Sequence, residues 1–446
     1  MIRLSLLLTL PFLLISGAPG ASLPDSLRDY LQSRVNAGDH PGIVVGVADA
    51  DGQAFLSVGR VDQKSDARLV DERTLFELGS ISKTFTALLF QLAVDGKTIK
   101  ETDTVSGFMP ADLALPPKTS DITLLELATH SSGLPRMPDN FKPANPRNPY
   151  ADYTQAQFHQ WLRGVELGEK RFQYSNAGMG WLGQILAGKA GTSYEALVKA
   201  WIITPCSLTD TGIELTGEQK ARAATPHQDG KPIPMWDIPT LAGAGALRGT
   251  AVDVLRWSAL HAGLIESPLK SAMERVQRPR VSAGKKGAKV ACGWMIQPSR
   301  NGNIVWHNGG TGGTRTWTGF NRKTRRAAVV LANSSVTVDD IGMHLLDADV
   351  PLRKVHKQVR LARAKLEKCA GTYSFGNAEL KVTVVDDRLG VQLTGQGVNP
   401  AYPESETRYF MRVVDAQLSF EEGANGQMKA VVLHQNGIDQ RAERKK

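Results

Sequence analysis

The sequence predicts an α+β fold, with one five-stranded antiparallel sheet flanked by helices, a mostly helical inserted region and a small C-terminal antiparallel β domain. Three observations support this prediction. A short strand hairpin near the N-terminus is followed by an apolar helix. Strand-like runs return in a block at residues 290–333. A second block of short alternating runs, at residues 369–437, follows a basic stretch.

The N-terminal 21 residues have the composition of a secretory signal. Arg3 precedes an apolar run at residues 4–15, and small residues follow at 16–21. The alternative is a membrane anchor, but the run is too short to span a bilayer comfortably. We therefore expect export and removal of this segment, a periplasmic or secreted protein, and no transmembrane anchor.

The first elements of the mature chain are a helix and a hairpin. An amphipathic helix is predicted at residues 23–35, and strands at 43–49 and 53–58 flank the turn signal Asp51-Gly52. A second helix begins near Ser80, because the apolar residues that follow it recur at the spacing of one helix face: Phe85, Leu88, Leu89 and Leu92.

The remaining elements complete the predicted sheet. Residues 100–250 contain helical patches among loops rich in Pro, Gly and Asn. The strands at 290–333 have short connections, so they are antiparallel. We expect them to join the N-terminal hairpin in one sheet, with the terminal helices on one face and the Ser80 helix on the other.

The net charge of +9 is concentrated locally. Basic residues exceed acidic residues by six at 351–368 and by three at 441–446. A solvated linker and tail explain this excess better than a nucleic-acid groove, with contact to an anionic envelope surface as the alternative. The predicted organisation is a signal peptide at 1–21, a main domain at 22–350 with its helical insertion at about 100–250, a basic linker at 351–368 and a β domain at 369–446.

Cysteine usage predicts neither a disulfide framework nor a metal site. The chain has three cysteines, Cys206, Cys292 and Cys369, so one thiol is necessarily unpaired within the chain. No Cys-x-x-Cys or His-Glu-x-x-His spacing is present. We expect small buried cysteines and no metal or other cofactor.

Ser80-Ile-Ser-Lys83 is the most informative motif. Residues three apart share a helix face, so the Lys83 amine can reach the Ser80 hydroxyl and act as its base. Ser80 is predicted in the first helical turn, where unpaired N–H groups and the helix dipole favour an anionic oxygen. Two other Ser-x-x-Lys sequences are rejected: the one starting at Ser267 contains a proline, and the one starting at Ser282 lies in a basic loop.

Two further motifs complete a candidate site. Tyr174-Ser-Asn176 offers a phenol for proton transfer and an amide to hold a carbonyl or orient the lysine. The alternative for Tyr174 is a half-buried core residue. His307-Asn-Gly-Gly310 ends a predicted strand, and its glycines permit close approach of a substrate, with the Gly310 N–H as a candidate oxyanion donor. The alternative there is a plain glycine-rich turn.

These three motifs resemble those of the serine penicillin-recognising enzymes, specifically class C β-lactamases and their relatives among low-molecular-mass penicillin-binding proteins, D-aminopeptidases and esterases. Phe76-Glu-Leu-Gly-Ser-Ile-Ser-Lys83 fits the class C pattern at every position. Residues 124–135 and 243–253 are also similar to family segments, so the resemblance covers about residues 23–350. It implies a β-lactamase/transpeptidase-like fold.

The resemblance also implies roles for individual residues. Ser80 would be the nucleophile, Lys83 its base and Tyr174 a proton carrier, while substrate binding would fall to Asn176, His307, Gly309, Gly310, Thr311 and Arg315. Class C enzymes usually carry lysine where this chain has His307. We therefore expect partial positive charge on His307 to attract a substrate carboxylate, with Arg315 as a second candidate cation.

The predicted function is acyl-enzyme hydrolysis of amide bonds, with β-lactam hydrolysis as the preferred activity. The alternatives are D-Ala-D-Ala carboxypeptidase or endopeptidase action on peptidoglycan, and esterase activity. A penicillin-binding sensor without turnover is a less favoured alternative from another class. The expected partners are a small β-lactam or a D-Ala-D-Ala peptide, either free or within peptidoglycan, and no nucleic acid is expected.

Overall fold

The computed structural model describes residues 21–445, apart from 111, 285–286, 377, 413, 425 and 436. Residues 1–20 of the predicted signal segment therefore lie outside the described residues. Lys285, the lysine of the rejected Ser282 motif, also lies outside them. No helix within the described ranges is long and apolar enough to cross a membrane.

The described chain contains thirteen α-helices and several short 3₁₀ or π turns. The helices are α1 (Asp25–Asn36), α2 (Ser82–Asp95), α3 (Pro117–Ser120), α4 (Leu124–Ala128), α5 (Gln155–Leu162), α6 (Asn176–Ala190), α7 (Tyr194–Val198), α8 (Gly217–Ala221), α9 (Ala242–Gly245), α10 (Ala251–Ala262), α11 (Lys270–Val276), α12 (Asp339–Leu346) and α13 (Arg363–Cys369).

Twenty β-strands are seen in the same described ranges. Those of the main domain are β1 (Gly42–Asp49), β2 (Gly52–Gly59), β3 (Leu75–Glu77), β4 (His227–Gln228), β5 (Lys231–Pro232), β6 (Arg248–Thr250), β7 (Val281–Ser282), β8 (Lys289–Val290), β9 (Met295–Gln297), β10 (Ile304–Gly310), β11 (Arg315–Asn321) and β12 (Arg326–Ala332). Those that follow α13 are β13 (Gly371–Phe375), β14 (Ala378–Val385), β15 (Arg388–Leu393), β16 (Asn399–Pro403), β17 (Arg408–Met411), β18 (Ala416–Glu422), β19 (Met428–Gln435) and β20 (Ile438–Arg444).

The main sheet is antiparallel and has the order β2-β1-β12-β11-β10-β9-β8-β7. The α+β fold class is confirmed, but the sheet has eight strands where five were predicted. The difference arises at the edge, where β7 and β8 have only two residues each. The strand-like block that begins at residue 290 is interrupted at Gly293, which has φ of 65° and donates its N–H to the Ala128 carbonyl.

Two apolar layers cover the sheet. Ile43, Val45 and Val47 of β1 face a core formed with α1 and α12, whereas Val44 and Ala48 face the larger core on the other side. This alternation is the two-residue period of a strand with both faces buried. The terminal helices therefore cover one face of the sheet, as predicted.

The opposite face is covered mainly by α10 rather than by the Ser80 helix. Helix α10 packs on β1, β11 and β12, and α2 packs behind it. The rings of Phe85 on α2 and Trp257 on α10 stack with centroids 4.1 Å apart. Helix α2 is buried on nearly all sides, so its apolar periodicity did not indicate which neighbour it contacts.

The helices that frame the site have local start and stop signals. Ser175 caps the N-terminus of α6 and Thr250 caps that of α10, each accepting a backbone N–H with its hydroxyl. Both helices end at a glycine in the left-handed conformation, Gly191 with φ of 65° and Gly263 with φ of 74°. The chain before α6, which carries Tyr174, is therefore held at a defined helix start.

The C-terminal strands β13 to β20 form a closed antiparallel barrel. Its interior includes Tyr373, Leu389, Leu418 and Val431, and Leu366 of α13 packs into the same cluster. The alternating runs in the sequence at 380–385, 388–393, 409–413, 417–420 and 428–434 overlap five of these eight strands. Strand β16 contains two prolines and β20 buries only Ala442 of its seven residues, so neither carries the alternating signal of a strand.

The barrel contacts the main domain through polar side chains. The Tyr402 hydroxyl donates to Asp229 over 3.1 Å, and Arg388 forms an ion pair with the same carboxylate at 3.3 Å. Arg412 pairs with Asp39 at 3.3 Å. Asp229 lies in the turn between β4 and β5, so the barrel holds that hairpin as well as the end of α1.

Candidate active site

Ser80 lies in a 3₁₀ turn, Gly79–Ile81, directly before α2. Gly79 has φ of 51°, and a Cβ there would come within 2.6 Å of the Gly310 nitrogen. A side chain at this position would therefore separate the serine turn from the end of β10. Glycine is required because the two segments touch through their backbones.

Lys83 is fully buried and close to the Ser80 hydroxyl. Its Nζ lies 2.9 Å from Ser80 Oγ and 2.6 Å from the Ala244 carbonyl oxygen. Burial lowers the pKa of Lys83 well below its usual value, and the positive charge of Arg136 lowers it further. This shift favours the neutral amine, and a neutral amine can accept the proton of Ser80.

Tyr174 lies close to Ser80 and to three nitrogen-bearing side chains. Its ring centroid is 4.9 Å from Lys83 Nζ, 5.1 Å from Arg136 Cζ and 4.6 Å from the His130 ring centroid. Burial raises the pKa of Tyr174, against the opposing effects of a hydrogen bond with Ser80 and of the Arg136 charge. The phenol stays protonated and is a proton donor beside the nucleophile.

Asn176 is the first residue of α6 and lines the same cleft. Its Nδ2 lies 3.6 Å from Met137 Sδ. Its Oδ1 is buried and has no hydrogen-bond partner among the described residues. A buried acceptor without a hydrogen-bond donor destabilises the folded protein unless a ligand supplies the donor. This oxygen is therefore placed to accept an amide N–H.

The two glycines at the end of β10 have different surroundings. A Cβ at Gly309 would lie 2.0 Å from the Leu78 carbonyl oxygen, so Gly309 serves the packing of the strand on the serine turn rather than contact with substrate. The Gly310 nitrogen lies beside Gly79, one residue from Ser80. The N–H groups of Ser80 and Gly310 thus come from adjoining segments, as an oxyanion hole requires.

The hydroxyl of Thr311 is not free to bind substrate, contrary to the prediction. It donates to the buried Glu77 carboxylate over 2.7 Å, and Thr314 donates to the same oxygen over 2.9 Å. The Trp236 N–H donates to the other Glu77 oxygen over 2.7 Å. Glu77 therefore joins the turn after β10 to the segment carrying Trp236.

His307 is buried, which opposes the predicted role as a positively charged anchor. Burial is the main cause that lowers the pKa of His307, to about 3. Its Nδ1 lies 2.5 Å from the Asn308 carbonyl oxygen, which accepts the Nδ1 proton and leaves Nε2 as the unprotonated nitrogen. The sequence could not indicate this, because the shift depends on burial by other segments.

The Arg315 guanidinium also forms its hydrogen bonds within the protein. Its Nη1 donates to the Thr311 carbonyl over 2.7 Å and to the Thr314 carbonyl over 3.0 Å. Its charge interacts with the Asp339 carboxylate. Arg315 therefore braces the turn between β10 and β11, and its role as a second substrate cation is not supported.

Several cleft residues were not identified from the sequence. The cleft beside Ser80 is also lined by Tyr150, Trp236, Ile238, Ala244 and Gly245. These residues come from loops without a recurring spacing, so only the fold brings them together. Arg136 carried a weak signal, since it lies in the loop rich in Pro that precedes the Tyr174 motif.

The described residues contain no cluster of three or more His, Cys, Asp and Glu side chains able to hold a metal ion. The three cysteines are buried and free. Burial raises the pKa of the Cys206 and Cys292 thiols to about 12 each, which keeps them protonated. The chemistry available in the cleft is that of the hydroxyl, amine and phenol.

A helix-borne Ser–Lys pair with an adjacent tyrosine, on an antiparallel sheet, defines a class of serine acyl-transfer enzymes. The family described as Beta-lactamase matches residues 27–351. The chain belongs to the β-lactamase family.

The relatives divide between β-lactamases and penicillin-binding proteins. The chain is 25% identical to "Penicillin-binding protein 4*" of Bacillus subtilis (strain 168), across 86% of this chain and 90% of that protein. It is 29% identical to a "Beta-lactamase" of Yersinia enterocolitica, across 49% of this chain and 54% of that protein.

Solved structures show the same fold. A class C β-lactamase from Rhodobacter sphaeroides superposes with a TM-score of 0.62 at 24% identity, covering 70% of this chain and 94% of that one. The D-alanine carboxypeptidase AmpC from Burkholderia cenocepacia gives a TM-score of 0.62 at 23% identity, covering 72% and 97%. Neither of these two superpositions covers the whole of this chain.

Proposed function

We propose that this protein is a serine hydrolase that forms an acyl-enzyme on Ser80, with β-lactams as its preferred substrates. The observation that carries the proposal is the 2.9 Å separation of Ser80 Oγ from the buried Lys83 amine, whose pKa is lowered by burial. A hydroxyl becomes an effective nucleophile when a positioned base takes its proton.

Acylation uses the Ser80 hydroxyl, the Lys83 amine and the Tyr174 phenol. Lys83 Nζ takes the Ser80 proton as Oγ bonds to the substrate carbonyl carbon, and the N–H groups of Ser80 and Gly310 face the oxygen that becomes negative. The carbon–nitrogen bond then breaks, and Tyr174 delivers a proton to the leaving nitrogen. The Lys83 proton returns to the Tyr174 oxygen, so the charges balance at the acyl-enzyme stage.

Deacylation reverses the proton path. A water molecule attacks the ester carbon and gives its proton to the base formed by Lys83 and Tyr174. The bond between the ester carbon and Ser80 Oγ breaks, and Oγ regains a proton. The products are the free hydroxyl and a carboxylic acid.

The second candidate is D-Ala-D-Ala carboxypeptidase or endopeptidase action on peptidoglycan. The favouring observation is the match to penicillin-binding protein 4*, which spans 86% of the chain and so extends beyond residues 27–351 into the barrel region. Esterase activity uses the same groups with an oxygen leaving group.

Export to the periplasm or outside the cell belongs to the same proposal. It is supported by Arg3 and the apolar run at residues 4–15. Both candidate substrates, β-lactams and cell-wall peptides, occur outside the cytoplasmic membrane. Cell fractionation with N-terminal sequencing of the mature protein tests this part, and a cytoplasmic protein that retains residues 1–21 would contradict it.

A parallel turnover measurement decides among these substrates. A chromogenic cephalosporin, a D-Ala-D-Ala peptide and a short-chain aryl ester are each supplied to the wild-type protein and to Ser80→Ala. The proposal expects the highest kcat/KM for the cephalosporin and no turnover by the variant. Preference for the peptide would favour the second candidate, and acylation without turnover would identify a sensor.

A further inference from the structure

Arg136 lies beside two residues of the candidate site, Tyr174 and Asn176. Its carbonyl oxygen accepts the N–H of Asn176 over 2.9 Å and that of Ala177 over 3.3 Å, which fixes its backbone to the start of α6. Its guanidinium carbon lies 5.1 Å from the Tyr174 ring centroid. The Arg136 side chain is exposed, so it can meet a molecule arriving from solvent.

The guanidinium of Arg136 has no partner of opposite charge within the described part of the chain. Its side chain forms no ion pair or hydrogen bond there, and its guanidinium packs over the ring of Tyr174. A guanidinium stacked on an aromatic ring keeps its N–H edge free. That edge can donate two parallel hydrogen bonds to one carboxylate.

The other basic groups around the site are unsuitable for binding an anion. Lys83 is buried and holds the Ala244 carbonyl oxygen at 2.6 Å. His307 is buried with its Nδ1 proton on the Asn308 carbonyl. Arg315 uses Nη1 on two backbone carbonyls. Both candidate substrates carry a carboxylate, so a cation is needed elsewhere.

We infer that Arg136 is the residue that recognises a carboxylate group of the substrate. The inference rests on the proposed acyl-enzyme function of Ser80 and deepens it, because it makes anionic substrates the preferred class. Arg136 stacks on Tyr174, the proton donor to the leaving group, and its loop also adjoins Asn176, which faces the acyl part. The carboxylate that Arg136 binds can therefore lie on the leaving group or on the acyl group of the substrate. The test distinguishes these two positions.

The test compares three aryl esters that differ in where the carboxylate lies. Phenyl butyrate is neutral, 3-carboxyphenyl butyrate has a charged leaving group, and phenyl hemiglutarate has a charged acyl group. The readout is the ratio of kcat/KM for each charged ester to that for the neutral ester. A ratio is needed because the Arg136 charge also lowers the pKa of Lys83, which affects all three esters alike.

Arg136→Gln is expected to lower this ratio about 10- to 100-fold for one charged ester, the range for loss of a hydrogen bond to a charged group. Arg136→Lys should keep part of the ratio, because it retains charge but not the bidentate edge. The matched control is Arg300→Gln, an exposed arginine outside the site, which should leave both ratios unchanged. The wild-type ratio should also fall as salt is added.

The outcomes separate the inference from the function on which it rests. A fall for the charged leaving group or for the charged acyl group supports the inference and says which portion Arg136 binds. Wild-type turnover with both ratios unchanged in Arg136→Gln overturns the inference alone. Failure of the wild-type protein to hydrolyse both the three esters and the chromogenic cephalosporin, or equal hydrolysis by Ser80→Ala, overturns the proposed function and the inference together.

Discussion

At the scale of single residues, the nucleophile and its base form a local pair whose chemistry depends on distant parts of the chain. The spacing of Ser80 and Lys83 places them on one helix face, and this was predictable. The lowered pKa of Lys83 arises from burial and from the charge of Arg136, both of which depend on the fold. The sequence therefore indicated the pair but not the lowered pKa that makes it work.

Replacement of Lys83 by alanine removes the base while leaving the hydroxyl. We expect Lys83→Ala to lower kcat about 10²- to 10⁴-fold, the usual contribution of positioned proton transfer. The control is Lys270→Ala, the lysine of the Ser267 motif, which is exposed and bonded only to Glu266 at the surface. Steady-state turnover of the aryl ester measures both variants, and an equal loss in the two would contradict the assignment.

The lowered pKa of Lys83 makes a prediction about pH. Lys83 acts as a base only when neutral, so activity is present above its pKa in the folded protein and is lost as pH falls through it. Because this pKa lies well below the usual 10.5, kcat/KM for a neutral ester should rise by less than tenfold from about pH 8 to 9. A lysine with an ordinary pKa would give a rise of about tenfold per pH unit over that range. Such a slope would show that Lys83 is charged.

At the scale of elements, the end of β10 is held against the serine turn by a buried carboxylate. The glycines of this strand end were visible in the sequence as a loop that permits close approach. The hydrogen bonds from Thr311 and Thr314 to Glu77 could not be predicted from the sequence, because Glu77 is more than two hundred residues away in the chain. A short sequence motif identifies its own residues, but it does not identify the distant residue whose hydrogen bonds hold them in position.

Thr311→Val tests this contact because it keeps the shape of the side chain and removes its donor. Loss of one donor to a buried carboxylate should lower the free energy of unfolding by about 1–3 kcal/mol. The change in KM should be small, since Thr311 faces Glu77 rather than the substrate. Urea unfolding and steady-state kinetics measure the two effects, with exposed Thr324→Val as the control. A large rise in KM at unchanged stability would restore the role in substrate binding.

At the scale of the whole molecule, the barrel is joined to the main domain by a few charged side chains. The sequence predicted two β blocks and a basic linker, because composition changes sharply between them. It did not predict the pairings, since Arg412 and Asp39 approach only after both blocks have folded. Arg412 also donates to the Ala37 carbonyl over 2.9 Å, so it holds the end of α1 by two contacts.

Arg412→Ala should loosen the barrel without unfolding it. The Arg412 side chain is 12% exposed and that of Asp39 is 11% exposed, so the pair is better shielded than most surface ion pairs. We expect trypsin to cut the basic segment at residues 351–362 several-fold faster in this variant. Arg441→Ala is the control, because Arg441 pairs with Glu421 within the barrel and is 44% exposed. Equal rates in wild type and Arg412→Ala would show that other contacts hold the barrel.

The most direct test of the whole account is the site of acylation. The protein is incubated with a fluorescent penicillin, digested, and the labelled peptide identified by mass spectrometry, with Ser267→Ala and Ser282→Ala as controls. The account predicts one label on Ser80, retained in both controls and lost in Ser80→Ala, because Ser80 Oγ lies 2.9 Å from the buried Lys83 amine. Label on any other serine, or labelling that persists in Ser80→Ala, would contradict it.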